Sequence, residues 1–344
     1  MSSTLAPPSL RWDGARLHVL DQTLLPGREE VLVLEGAEDT AQAIERLAIR
    51  GAPLIGIAAG FGLAMEVARE PAALERAAER LATCRPTARN LAWATERVRA
   101  AALAAGPARL AAAAREAAEE IQREDEAASA ALSEHGAALL DEALPPAPAR
   151  PLTIMTHCNS GGLAASGHGT GLGVIAALAE RRPVRVLACE ARPLLQGARL
   201  TVWELGRLGI EHALVVDAAA AGLIRTGQVD ALVTGFDRVA ANGDLANKVG
   251  TYGLALAAHA AGVPFLGAGP SSSVDVALPA GDAIEIEERG ADEVRTAAGA
   301  LLTVPGTQVR NPAFDVTPAA LLWALVTERG IARPVDAASV AAIA

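Results

Sequence analysis

The sequence predicts an α/β protein in which a smaller N-terminal domain of short strands and helices precedes a domain built on a parallel sheet. The second half alternates short apolar segments with helical segments, a pattern typical of βαβ units and a doubly wound sheet. The first half begins with strand-like segments and continues with long helical ones. The chain has 344 residues, 51% of them hydrophobic, which is enough to form two cores.

The N-terminal domain is expected to span residues 1–144. "LRWDGARLHVLD" places Asp13-Gly14 between two short runs, which indicates a hairpin, and "EEVLVLEG" supplies another strand. "DTAQAIERLAIRG" predicts a helix that ends at Gly51, and Pro53 can open the next helix. Helical spacing continues through residues 71–143. Abundant alanine and only 3% aromatic residues indicate helices packed closely through small side chains.

The stiff stretch "PPAPARP", Pro145–Pro151, marks the domain boundary, so the second domain is expected to span residues 145–344. Its strands are predicted at "LTIMTH", "VRVLACE", "HALVVD", "DALVTGFD" and "VPFLGAG". Ligands of such sheets bind beyond the carboxyl ends of the strands. Cys158, Glu190, Asp217 and Asp237 each stand at a strand end, so we expect all of them at one edge of the sheet.

Composition excludes several classes of function. A net charge of −10 disfavours general binding of nucleic acid but is compatible with a small anionic substrate. Three widely spaced cysteines without a CxxC pair indicate neither a disulfide framework nor a structural zinc site. The N-terminus lacks a basic region followed by an apolar run, and the long uncharged runs are broken by glycine and proline. We therefore expect a cytoplasmic protein without a membrane span.

The glycine-rich turn after the first strand of the second half invites a dinucleotide interpretation, but its register fails. A GxGxxG begun at Gly167 puts Leu172 third, and one begun at Gly169 puts Val174 there. No NAD is therefore expected. Backbone N–H groups of these glycines near a helix start would still suit a phosphate or a hydroxyl-rich ligand.

Cys158, in "MTHCNSGGLA", has two interpretations. An arbitrary cysteine is most often a small buried hydrophobic residue. A thiol at a strand end before two glycines can instead face a cleft. His157 is adjacent in sequence, so on a strand its side chain should point to the opposite face, and no nearby His/Cys/Asp spacing resembles a metal site. Cys84 and Cys189 lack this context and are expected to be structural.

Two further stretches are rich in polar groups. "TGFDRVAANGDLANKVGTY" is either a solvated turn with a helix cap or a carboxylate base, Asp237, held among Arg238, Asn242 and Lys248. In "AIRGAPLIG", Arg50 either neutralises a helix end or binds an anion together with the amides of Gly51 and Ala52.

Together, "IRGAPLIG", "RPTARNLAWA", "THCNSGGLA", "RPLLQGARLTVWEL", "DRVAANGDLANKVGTY" and "NPAFDVTP" resemble the signatures of the 5-methylthioribose-1-phosphate isomerase family. That family is related to the alpha, beta and delta subunits of translation initiation factor 2B. The resemblance runs in order from about Trp12 to Ala324. It implies a Rossmann-like C-terminal domain after a smaller N-terminal one, a homodimer, and a methionine-salvage isomerase that needs no cofactor and no metal.

The resemblance also assigns residues. It implies that Cys158 and Asp237 are catalytic, and that the substrate is bound by Arg50, Gly51, Ala52, Arg85, Gln196, Asn247 and Lys248. Phe236, His168, Ala191 and Arg89 depart from the usual family residues, which concerns the 5-substituent of the sugar more than the reaction. Two alternatives stay open: an isomerase of a related aldose 1-phosphate, such as 5-deoxyribose 1-phosphate or ribose 1,5-bisphosphate, and a non-catalytic subunit like the initiation-factor relatives.

Overall fold

A computed structural model describes residues 9–85, 89–145, 150–297 and 299–344, and for Arg89 the backbone only. By their internal contacts these residues divide into two compact units. Among the described residues, the N-terminal unit comprises those between 9 and 129 together with Gly162–Gly169, and the C-terminal unit comprises those of Ala130–Gly161 and Thr170–Ala344. Part of the Pro-rich stretch predicted as the domain boundary lies outside the described residues, so a boundary near residue 145 stays a prediction.

The N-terminal unit begins with a small antiparallel sheet and continues with helices. Its sheet has the order β1-β2-β3, and the turn at Asp13-Gly14 joins β1 to β2 as predicted. The Asp13 carboxylate accepts the N–H groups of Ala15 and Arg16 at 2.9 and 2.8 Å. The strands are β1 (Leu10–Trp12), β2 (Leu17–Leu20) and β3 (Val31–Leu34); the helices are α1 (Ala37–Glu45), α2 (Ala52–Arg69), α3 (Leu74–Thr83), α4 (Arg89–Ala105) and α5 (Leu110–Ala143), whose second part belongs to the C-terminal unit.

Helix α2 is the centre of this unit's core. Phe61, in its middle, is fully buried and stacks on Trp12 with a ring distance of 5.0 Å. A Cβ on Gly62 would lie 2.8 Å from Thr40 Oγ1 of α1, so the close packing through small residues is confirmed here. Within the described residues α2 is the helix long and apolar enough to cross a membrane, but 72% of that window is buried inside the protein, as in a core helix.

One predicted helix end is wrong. The helix expected to reach Gly51 ends at Glu45. Leu47 has a φ of 63°, in the left-handed region, and the Ile49 N–H turns back to the Ala43 carbonyl at 3.2 Å. The chain therefore closes the helix early, as a C-terminal capping turn does, and approaches α2 as a loop.

The C-terminal unit has the predicted doubly wound sheet. The order of its seven-stranded sheet is β16-β15-β10-β7-β4-β5-β6, and every neighbouring pair is parallel except β15 with β16. All five strands predicted from the sequence are present as β4, β5, β6, β7 and β10. The strands are β4 (Leu152–Thr156), β5 (Val184–Cys189), β6 (Glu211–Val215), β7 (Ala231–Thr234), β10 (Phe265–Ala268), β15 (Ala324–Thr327) and β16 (Gly330–Ala332).

A smaller sheet, with the order β11-β8-β9-β14, lies in the same unit. Its strands are β8 (Arg238–Ala240), β9 (Leu245–Lys248), β11 (Val274–Asp275) and β14 (Phe314–Thr317), and β12 (Thr296–Ala297) pairs separately with β13 (Ala300–Leu301). The helices are α6 (Gly171–Arg181), α7 (Val202–Arg207), α8 (Asp217–Arg225), α9 (Thr251–Ala261), α10 (Asp292–Arg295) and α11 (Ala337–Ala342). A π-helical turn, Gly197–Thr201, precedes α7.

The connection order determines where a ligand should bind. From β4 the chain moves outward through β5 and β6, and then returns to place β7 on the other side of β4. The order therefore reverses between β4 and β7. Ligands of doubly wound sheets bind at such a reversal, beyond the carboxyl ends of the strands.

Candidate active site

Cys158 lies two residues beyond β4, on one side of the reversal point. Its φ is 64°, a left-handed conformation that non-glycine residues rarely adopt and that concentrates at functional sites. The Thr201 hydroxyl donates to the Cys158 carbonyl at 2.6 Å. The next side chain, Asn159, donates to the Glu204 carboxylate at 2.6 Å and to the Thr201 hydroxyl at 3.2 Å. A buried network thus fixes the backbone that presents the half-buried thiol.

The other two cysteines have the structural environments expected for them. Cys189 is 1% exposed at the end of β5, and burial raises its pKa to about 12. Burial also raises the pKa of Cys84, at the end of α3. Thiols that stay protonated are poor nucleophiles, so neither has the properties of a reactive cysteine.

Asp237 lies beyond β7, on the other side of the reversal point. Its backbone N–H donates to the Ala246 carbonyl at 2.9 Å, which places it where β8 and β9 begin to pair. A Cβ on Gly235, two residues earlier, would lie 2.9 Å from Ser160 Cβ. The loops that carry Asp237 and Cys158 therefore pack directly against each other.

The polar groups expected around Asp237 divide into two sets. Arg238 forms an ion pair at 3.2 Å with Asp275 on the neighbouring strand β11, and Asn242 donates at 2.8 Å to Asp244 in its own turn, so both have structural partners. Asn247 and Lys248 follow on β9. The Asn247 amide donates to the Thr251 hydroxyl at 3.1 Å, and Lys248 Nζ donates to the Ala313 carbonyl at 2.8 Å and lies 4.5 Å from the centre of the Phe314 ring.

Gln196, before the π-helical turn, offers a polar atom suited to a ligand. It is 6% exposed, and its Oε1 has no hydrogen-bond partner among the described residues. A buried amide oxygen without a donor costs stability of the order of 1–3 kcal/mol. A bound hydroxyl would supply the missing donor.

Asp315 and His157 hold the segment that follows Lys248, although no sequence motif predicts a role for Asp315. On β14, Asp315 pairs in register with Asn247, and its carboxylate accepts the N–H groups of Gly250 and Tyr252 at 2.6 and 3.1 Å. Burial raises its pKa to about 6. His157 Nε2 donates to the Val249 carbonyl at 2.8 Å. The motif "NPAFDVTP" marked this position without indicating what it contacts.

In the N-terminal unit, Arg50, Gly51 and Ala52 form the approach to α2 and are each partly exposed. Gly51 has a φ of 93°, and a Cβ there would lie 2.2 Å from the Ala164 carbonyl oxygen. The Leu54 N–H donates to that same oxygen at 3.2 Å, so one of the amides at the helix start is already occupied by backbone. Only glycine fits at this position.

The glycine-rich segment after Cys158 is held by this unit. The Ser129 hydroxyl donates to the carbonyls of Ser166 and Gly169, and the Ser166 N–H donates to Asp125 at 2.7 Å. The N–H groups of Thr170 and Leu172, at the start of α6, both point to the Ser160 carbonyl. The Gly169 N–H donates to the Ser166 carbonyl at 3.3 Å, so one of the glycine amides expected to suit a ligand is bonded to the protein.

The remaining predicted positions are Arg85 and the four residues that depart from the usual family pattern. Arg85 follows α3 and is half-buried, residues 86–88 of its motif lie outside the described residues, and so does the side chain of Arg89. Phe236 is 7% exposed and is accommodated by Gly269, where a Cβ would meet its ring at 2.7 Å. His168 is exposed, and Ala191 is buried with a φ of 60°.

Comparison with known proteins identifies the family of this chain. The model of the Initiation factor 2 subunit family matches residues 48–334. A methylthioribose-1-phosphate isomerase from Anaeromyxobacter sp. (strain Fw109-5) is 50% identical over 331 residues, which cover 95% of this chain and 94% of that protein.

Two solved structures extend the comparison. The 5-methylthioribose 1-phosphate isomerase from Pyrococcus horikoshii OT3 has a TM-score of 0.88 and 36% identity, and covers 98% of this chain and 96% of its own. The translation initiation factor eIF-2B subunit delta from A. fulgidus has a TM-score of 0.85 and 35% identity, and covers 97% of this chain and 99% of its own. The resemblance seen in the motifs is confirmed, and the chain belongs to the Initiation factor 2 subunit family, grouped with its methylthioribose-1-phosphate isomerases.

Proposed function

We propose that this chain is an aldose–ketose isomerase that converts 5-methylthioribose 1-phosphate to 5-methylthioribulose 1-phosphate in methionine salvage. The observation that carries the proposal is the placement of Cys158 and Asp237 in adjoining loops at the reversal point of the sheet. Relatives of up to 50% identity bear the name of this enzyme. No cofactor or metal takes part in the proposed reaction.

The chemistry requires an acid and a means of moving hydrogen. The anomeric oxygen carries phosphate, so the sugar cannot open to a free aldehyde. Ring opening must protonate the ring oxygen, and hydrogen must then move from C2 to C1. Asp237 is proposed as the acid for ring opening. Cys158 is proposed either to transfer the C2 proton through an enediol-type intermediate or to line an apolar region in which hydride shifts directly.

The substrate-binding roles are those that the family resemblance implies, and the chemistry of each group supports them. Gln196 Oε1, buried and without a donor, is suited to accept a hydrogen bond from a sugar hydroxyl. Asn247 and Lys248 follow Asp237 on β9 and supply an amide and a cation. Arg50, the amides of Gly51 and Ala52, and Arg85 are proposed to bind the phosphate, for which guanidinium and backbone N–H groups are matched donors.

Two alternatives are kept. In the first, the substrate is a related aldose 1-phosphate that would use the same catalytic pair. A substrate with a second phosphate needs further cations near C5, whereas a methylthio group at C5 needs an apolar pocket. The likeness to the A. fulgidus eIF-2B subunit delta favours, as a second candidate, a regulatory subunit. Such a subunit has no need of both Cys158 and Asp237, so their joint presence favours catalysis.

The location, oligomeric state and binding partners of the enzyme are also proposals. We infer a cytoplasmic homodimer that takes a small phosphorylated sugar and binds neither nucleic acid nor a membrane. The net charge of −10 supports the exclusion of nucleic acid, since affinity for a phosphate backbone depends on cationic groups.

Proton NMR of the purified chain with 5-methylthioribose 1-phosphate in D2O, without added metal or nucleotide, tests the reaction. Ketose should appear, and deuterium at C1 would identify proton transfer, whereas its absence would favour a hydride shift or a shielded proton. Folded dimer that forms no ketose would contradict the substrate assignment, and 5-deoxyribose 1-phosphate would then be tried.

Variants assign the two catalytic roles in the same assay. Asp237→Asn and Cys158→Ser should each lower kcat by roughly 10²- to 10⁴-fold, the usual contribution of a proton-transfer group, and keep substrate affinity. Cys84→Ser, which removes a thiol from the N-terminal unit, is the matched control and should keep full activity. Substantial turnover by either catalytic variant would contradict the role proposed for that residue.

A further inference from the structure

His157, Cys189 and Asp217 converge beside the ends of three adjacent strands. His157 follows β4, Cys189 ends β5, and Asp217 follows β6 and opens α8. A ring nitrogen of His157, Cys189 Sγ and an Asp217 carboxylate oxygen all lie within 4.8 Å of one another. The three residues are more than 25 positions apart in the chain, so sequence spacing gave no sign of this cluster, which we call the His-Cys-Asp cluster.

The hydrogen bonding of His157 leaves a lone pair directed into the cluster. A backbone carbonyl can only accept, so the 2.8 Å contact with Val249 assigns the ring proton to Nε2. Nδ1 then carries a lone pair, is buried in a side chain only 2% exposed, and has no hydrogen-bond partner among the described residues. It lies 3.9 Å from the Asp217 carboxylate, which is also an acceptor.

His157 and Asp217 of the cluster make the same kinds of hydrogen bond that orient histidine and carboxylate ligands around metal ions. A ligating histidine nearly always donates its other ring N–H to a carbonyl or carboxylate, and a ligating carboxylate is itself hydrogen-bonded. His157 donates to Val249. The two oxygens of Asp217 accept the N–H groups of Ala191 and Arg192 at 2.9 and 2.8 Å. Each oxygen keeps a further lone pair.

We propose that the His-Cys-Asp cluster binds a divalent cation that accepts nitrogen and sulfur ligands, with Zn²⁺ as the representative ion. Zinc bonds of about 2.0–2.3 Å require the donor atoms to approach one another by roughly 1 Å. The Asp217 side chain, 32% exposed, provides the route of entry from solvent. Three protein ligands leave a fourth position for water.

Binding balances charge and releases a proton. A cation binds the thiolate, so the Cys189 S–H bond breaks, an S–metal bond forms, and the proton leaves to solvent. Neutral His157 loses no proton. The thiolate and the Asp217 carboxylate then neutralise the two positive charges of the ion. Because a buried thiol without a bound ion carries its proton at neutral pH, binding should release about one proton per cation.

Titration of the full chain with Zn²⁺, followed by calorimetry in buffers of different ionisation enthalpy, measures stoichiometry and proton release. One ion and about one proton per chain are expected. Co²⁺ in place of Zn²⁺ should give thiolate-to-metal charge-transfer absorption. No binding of either ion at micromolar concentration, or binding without proton release, would overturn the proposal.

Variants separate this cluster from the other thiols. Cys189→Ser should abolish the cobalt–thiolate band, and Asp217→Asn should weaken binding by at least about tenfold. Cys84→Ser and Cys158→Ser should keep the band. A band lost with Cys158→Ser and kept with Cys189→Ser would move the site to the other thiol and refute the cluster. If Cys189→Ser does not fold, X-ray absorption of zinc-loaded Cys158→Ser protein decides: one sulfur ligand supports the cluster, and none refutes it.

Discussion

At the scale of single residues, a hydrogen bond from Thr201 holds the left-handed backbone of Cys158. That threonine is 1% exposed, and its hydroxyl both donates to the Cys158 carbonyl and accepts from Asn159. A thiol that transfers hydrogen must be positioned to within a fraction of an ångström, and a misplacement of about 1 Å can cost about 10²-fold in rate. Thr201 is therefore a positioning residue for the proposed reaction.

Replacing Thr201 with valine tests that role. Thr201→Val keeps the side-chain shape but leaves the Cys158 carbonyl without its donor, which should cost about 1–3 kcal/mol of unfolding free energy. We expect kcat to fall by about 10- to 100-fold with a smaller change in KM, measured by steady-state kinetics. Thr201→Ser, which restores a hydroxyl, should recover most of the rate. Failure of serine to rescue would show that packing, and not the hydrogen bond, is what matters.

At the scale of elements, a carboxylate from the distant strand β14 caps the N-terminus of helix α9. Gly250, the residue before the helix, has a φ of 106°, and Asp315 on β14 accepts the first amides at Gly250 and Tyr252. A carboxylate at a helix N-terminus is ordinarily favourable. Burial of this one nevertheless raises its pKa from 3.8 to about 6, so the folded chain holds a proton here that the unfolded chain releases.

The sign of the resulting pH dependence follows from that difference. Between about pH 4 and pH 6 the folded state binds more protons at Asp315 than the unfolded state, so this group's contribution to stability falls as pH rises through that window. Asp315→Asn should remove this pH-dependent contribution to stability. It should also lower stability at every pH, because an amide side chain can accept only one of the two N–H groups. Urea unfolding at several pH values measures both effects.

Asp336 is a matched control, because it caps α11 through the Ser339 N–H and that contact lowers its pKa. Its contribution is lost as pH falls, so Asp336→Asn should change the pH dependence in the opposite direction. An unchanged pH dependence in Asp315→Asn would show that Asp315 does not titrate in this window.

The elements also show what sequence alone can predict. The five parallel strands were predicted because each is a short apolar run between helices, a local signal. The small sheet was not, because β9 pairs with β14 and β8 with β11, far along the chain, and "DRVAANGDLANK" shows polar turn residues in place of alternation. The same limit applies to the site. Cys158 and Asp237 are proposed from sequence motifs, whereas Thr201, Asp315 and the His-Cys-Asp cluster come to light only through tertiary contacts.

At the scale of the whole molecule, each unit has its own apolar core. The core of the N-terminal unit gathers around Phe61, Ile44 and Leu17. The C-terminal unit has apolar cores on the two faces of a sheet whose central strands are fully buried. Some apolar side chains of the C-terminal unit stay exposed in the single chain, among them Leu214 at 51%, Val216 at 59%, Leu301 at 59%, Leu302 at 57% and Val304 at 73%.

These exposed side chains and the net charge together make a prediction about the proposed homodimer. Apolar contact favours association, whereas two chains of charge −10 repel each other. Salt screens that repulsion, with a Debye length of about 8 Å at 0.15 M, and leaves apolar contact in place. Sedimentation equilibrium should therefore show a species of twice the 35.1 kDa chain mass, with a dissociation constant that falls as salt rises. A monomer at all concentrations would contradict the dimer, and dissociation by added salt would show an interface held by ion pairs.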